Sequence, residues 1–137
     1  MSKLRSIRAV AVGFAVTAIA ASAIDQVFHS TGVFPPYGEA MPSELFILPA
    51  AYRTVLGVLG AYLVAALAPR RPGRHVLVFG ALGVVVSLIG AIVTIPMDLG
   101  PLWYPIFLVL VALPAAWFGG RLQQTGGLPV ESSELLV

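Results

Sequence analysis

The chain contains no cysteine. That excludes disulfides, thiolate-held metals and thiol redox chemistry together. Charge is also scarce, at 10% of residues, where a soluble domain carries roughly 25%. With only two histidines and six acids, few acid–base or metal constellations can be assembled. A serine nucleophile is poorly supported as well, because Ser22, Ser43 and Ser87 stand in no G-x-S-x-G context. No basic face is interleaved with aromatics, so the net charge of +2 and the pI near 9.4 do not point to nucleic acid.

What the chain has in abundance is apolar length: 58% of its 137 residues are hydrophobic and its mean hydropathy is +0.95. Four runs are long enough to cross a bilayer, at about 7–28, 45–67, 75–95 and 103–120. Between them lie Pro- and Gly-containing turnarounds that cannot continue a helix: STGVFPPYGEAMPS, Pro69 to Arg74, and Pro96 to Pro101. The predicted fold is all-α, an integral membrane four-helix up-down bundle over residues 1–122. Residues 123–137, polar and Gly-containing, read as a flexible cytoplasmic tail. Ser43 with Glu44 behind it reads as the start of the second helix, a polar cap followed by an acid.

Lys3, Arg5 and Arg8 ahead of an apolar run ending in Ala21-Ser22-Ala23 imitate a cleavable secretory signal. The three further apolar runs favour an uncleaved first span instead. Seven of the eight basic residues fall at the N-terminus, in the 69–74 turn, or at Arg121. By the positive-inside rule both termini are then cytoplasmic, with the turns around Pro35 and Pro101 outside.

The exception is Arg53, inside the second run. An arginine there costs ~2.5–3.5 kcal/mol at the bilayer centre on insertion scales unless something answers it. Seventeen residues separate Arg53 from Arg70, and seventeen separate Asp25 from Arg8. At ~1.5 Å per residue both charges sit ~25 Å from the same basic edge, so Asp25 is the expected partner. His29, four residues on, shares the Asp25 face of a helix. Asp25, His29 and Arg53 therefore form either a buried ion pair that sets helix register or a ligand or proton site; the structural role is favoured.

Helix association in lipid depends on small residues that let backbones approach. Each run supplies such a stripe: Gly13, Thr17 and Ala21; Gly57, Ala61 and Ala65; Gly83, Ser87 and Ala91; Ala112, Ala116 and Gly119. The charged residues continue the stripes of their own helices, which predicts one seam facing into the bundle. Should the fourth helix leave the Gly83–Ala91 stripe uncovered, that stripe would face a second protomer. Pro49 and Pro114 are the expected kink points.

The extracellular mouth is expected to hold Tyr37, Glu39, Glu44, Tyr52, Asp98, Trp103 and Tyr104. Its aromatics read as the ordinary interfacial belt rather than a ligand cup. Asp25, His29, Glu39, Glu44 and Asp98 include oxygen donors suited to a hard cation. Their spacing matches no metal motif and Arg53 would repel a cation, so no metal is expected. His29 and His75 lie near opposite edges of ~30 Å of hydrocarbon, which excludes a shared haem iron; no cofactor is expected.

The segments AYRTVLGVLGAYLVAALAPRRPGRH and LGPLWYPIFLVLVALPAAWFGGRL, with a DxxxH before a VFPPYG turn, resemble a family of small uncharacterised bacterial four-helix integral membrane proteins. The resemblance covers most of residues 5–122; it implies the fold and carries over no catalytic residue. Three function classes remain. The favoured one is a packing or accessory subunit of a membrane assembly, in contact with membrane lipids and either a homo-oligomer or part of a protein complex. The others are an oligomeric carrier or channel for a small ion or polar solute, and an enzyme acting on a lipid-linked substrate through Asp25, His29 and Arg53.

Overall fold

The computed structural model describes residues 2–36 and 38–126. Among these, all regular structure is helical, and four helices are long and apolar enough to cross a membrane. The first, α1 (Ser2–Ser30), has 29 residues, ~43 Å at the usual rise, so it starts several residues before the apolar run. It ends where Gly32 takes a left-handed φ of +84 and the Phe34 amide turns back to the Phe28 carbonyl at 3.0 Å. Ser43 does not cap the next helix. It opens a 3-10 turn, Ser43–Phe46, and its Oγ instead accepts a hydrogen bond from Trp103 Nε1 at 3.2 Å.

Then follows α2 (Ile47–Leu67). Pro49 is tolerated in its first turn, where an amide hydrogen has no helical partner. The helix stops at Ala68, which the following Pro69 holds in an extended conformation (φ −62, ψ 132). Pro72 occupies the first position of α3 (Pro72–Thr94), three residues before the expected start at His75. A second 3-10 turn, Ile95–Met97, closes α3, and Asp98 at φ 53 reverses the chain. The last helix, α4 (Trp103–Gly126), carries Pro114 in its interior and continues past 120. Residues 123–126, taken from sequence as the start of a tail, are thus helical; the rest of that tail, 127–137, and Tyr37 lie outside the described residues.

Packing is organised on α2, which touches the other three helices. The buried centre comprises Ala61, Val64, Ala65, Val76, Phe79 and Ala116, with Val10 and Phe14 against it. Contacts this close need missing side chains. A Cβ on Gly119 would lie 2.1 Å from the Val58 carbonyl oxygen, and one on Gly13 would lie 2.2 Å from Val64 Cγ2.

The small stripes do not form one seam. Gly57 and Ala61 face α4, at Ala115 and Gly119. It is Gly60 and Val64, one position away, that receive Thr17 and Gly13 of α1. The reason is geometric: a helix held between two neighbours needs two small faces, and one stripe supplies one. The third stripe is not left open for a second protomer either. Gly83 lies against Ala112 of α4, Gly80 against Leu113 and Ala116, and Ala91 is buried, whereas Gly90 beside them meets nothing. Ser87 borders a mid-bundle cavity of about 280 Å³, together with Ala21, Gly57 and Arg53.

Candidate functional site

At the acidic end of the bundle, the side chain of Asp25 on α1 meets two consecutive residues of α2. Arg53 donates through Nη2 to Asp25 Oδ2, and the Tyr52 hydroxyl donates to Oδ1. Both carboxylate oxygens are thereby engaged by the chain itself. The pair is not sealed off, since the side chains are 23% (Asp25) and 35% (Arg53) exposed. Arg53 Nε, by contrast, is buried and has no hydrogen-bond partner. Consecutive residues of a helix point ~100° apart, so Tyr52 and Arg53 reach Asp25 from either side.

Above the pair sits a cavity of about 300 Å³ bordered by Asp25, His29, Glu39, Arg53, Asp98 and Tyr104. His29 donates from Nδ1 to the Pro35 carbonyl at 2.8 Å and meets the Phe34 ring edge-on at 5.2 Å. Phe34 is buried at 4% exposure, its ring 5.1 Å from Phe28, which in turn lies 5.8 Å from Tyr52. The first long turn is therefore folded down onto the helices rather than loose. It is also tied to the third turn, because the Met41 amide donates to the Leu99 carbonyl at 3.0 Å. Phe46 fills the opposite wall: a Cβ on Gly100 would come within 2.2 Å of its ring, and the Tyr104 ring packs against it, tilted by 54° with centroids 4.9 Å apart.

Of the mouth residues expected from sequence, Glu39, Asp98 and Tyr104 border the cavity. Glu44 is exposed on the 3-10 turn, and Trp103 packs on Tyr104 and Phe107. Tyr52 is not an interfacial belt aromatic, since its hydroxyl reaches inward to Asp25. Phe34, Phe46, the Pro35 carbonyl and the Met41–Leu99 tie were not legible beforehand. Only the clustering of aromatics and prolines in 34–49 hinted at them. Among the described residues no three of His, Asp and Glu come together as metal ligands. Comparison with protein-family models, curated proteins and solved structures yields no match.

Proposed function

We propose that this chain is a small polytopic protein of the bacterial inner membrane. It is an up-down bundle with both termini cytoplasmic, and it serves as a packing or accessory subunit of a membrane assembly. The observation that carries this reading is the double engagement of Asp25 by Tyr52 and Arg53. A carboxylate whose two oxygens are bonded within its own chain acts as a strut between α1 and α2, and it is poorly placed to serve as base or nucleophile. Beneath it the centre is closed by Ala61, Val64, Phe79 and Ala116, which argues against a polar path through one protomer. Lipid-facing exposure of Ile19, Leu110 and Ile92, each more than two-thirds exposed, suits a chain whose surroundings are hydrocarbon. On the same reading, residues 5–122 share the fold of the small bacterial four-helix membrane proteins they resemble.

One observation favours the carrier reading as second choice. Arg53 borders both the end cavity and the mid-bundle cavity, and its buried Nε has a donor to spare. Purification in mild detergent, with native mass and identification of co-purifying proteins, tests the choice. A defined complex with other proteins is expected. A chain that purifies free of other proteins, as an assembly of its own copies, and transports a solute in vesicles would replace the accessory reading with the carrier.

A further inference from the structure

The opposite, basic end of the bundle holds a groove of about 800 Å³ between α1 and α3 that the site above does not use. Its walls are apolar, from Val10 and Phe14 on one side and Val78 and Leu82 on the other. Arg70, Arg71 and Arg74 stand at its mouth. Pro69 and Pro72 frame the turn, and Arg71 is held there in the left-handed region at φ 51, ψ 58, a conformation disfavoured for residues with a Cβ. The mouth is braced as well. His75 donates from Nδ1 to the Arg71 carbonyl at 3.1 Å, and Nε2 of the same ring accepts from Ser6 Oγ of α1 at 2.7 Å. Among the described residues the sole ion pair is Arg53 with Asp25, so these three arginines have no carboxylate partner there. From Ser6 to Phe14 the groove runs ~12 Å at helical rise, close to the ~15 Å hydrocarbon depth of one leaflet. Phe14, packed against the buried centre, stands between the groove and the mid-bundle cavity.

We propose that this groove binds an anionic glycerophospholipid, its phosphate among Arg70, Arg71 and Arg74 and one acyl chain along the α1–α3 seam. Cationic charge at one end of an apolar slot of leaflet depth complements that amphiphile, and basic clefts between spanning helices suit anionic headgroups. The proposal rests on the membrane reading above. It is tested by native mass spectrometry of the full chain in mild detergent, with phosphatidylglycerol and phosphatidylcholine added in equal amounts. Preferential retention of phosphatidylglycerol is expected. Replacing the three exposed arginines by alanine should weaken it by about fivefold each, on the order of 100-fold together at low salt. Ala11 also lines the groove; Ala11→Trp, which keeps the charges and fills the slot, should lose the same lipid, with circular dichroism confirming that both variants stay folded. Equal retention of the two lipids, or undiminished phosphatidylglycerol on either variant, overturns the site. So does binding that appears only in a chain ending at Gly126, because the terminal segment would then be the occupant. A chain that stays in solution without detergent sinks the membrane reading instead, and that outcome is distinct from the others.

Discussion

At the scale of single residues, the consequential group is Arg53. Stranding either partner of a partly desolvated pair leaves a charge that the site does not solvate well, whereas replacing both by apolar groups removes the problem. Asp25→Ala and Arg53→Ala are each expected to lower stability by ~1–3 kcal/mol, less than for a sealed pair because both side chains are partly exposed. Asp25→Leu combined with Arg53→Met should recover most of that loss. Thermal unfolding in detergent reads all three, and a double variant as unstable as the singles would show that the pair is not a strut. Tyr52→Phe removes one hydrogen bond to a charged acceptor and should cost ~1.5 kcal/mol, the low end for such bonds because the pair is partly exposed. How much of this was legible follows from the chemistry. Depth matching along two helices brought Asp25 and Arg53 together on paper because charge in an apolar run demands an answer. Tyr52 carries no such demand, so its hydroxyl could be assigned only once its direction was known.

At the scale of elements, the glycines separate into those that touch a neighbouring backbone and those that do not. Gly119 admits the Val58 carbonyl where a Cβ would sit, while Gly90 has nothing within 4 Å. Gly119→Ala should therefore force α2 and α4 apart and cost ~1–3 kcal/mol. Gly90→Ala should be neutral or raise stability by up to ~1 kcal/mol through helix propensity. Equal effects in a denaturation series would mean that the α2–α4 contact is looser than described. Gly83→Leu is likewise expected to reduce stability rather than native mass, since Ala112 of α4 already covers that position at 3.4 Å from a Cβ. A change of oligomer size without loss of stability would count against this packing. Which of two adjacent small residues meets which helix could not be read from spacing. Gly60 and Ala61 are both small enough to be met, and the choice depends on how the helices rotate against one another.

At the scale of the whole molecule, the acids among the described residues gather at one end of the bundle and the basic residues, Arg53 excepted, at the other. Asp25, Glu39 and Asp98 gather at one cavity, and Arg70, Arg71 and Arg74 at the opposite groove. Positive charge is retained on the cytoplasmic side during insertion, which makes the orientation testable. The absence of cysteine provides a clean background for labelling. Glu39→Cys should react with an impermeant maleimide on intact cells, and Gly73→Cys only after permeabilisation. The opposite pattern would invert the topology, and labelling of neither under both conditions would place both turns out of water.

Composition alone determined that the chain is helical and suited to lipid, because an apolar run of twenty residues can satisfy its backbone in hydrocarbon only as a helix. The turn positions followed from proline and glycine for an equally local reason. The tertiary structure decided everything that depends on direction across helices. It made α2 the hub with two small faces, and it folded Phe34 and Phe46 down to wall the Asp25 cavity. It also left α1 and α3 parted over an apolar groove. Spacing along a chain encodes which residues share a face of one helix; which neighbour that face meets is a property of the assembled bundle.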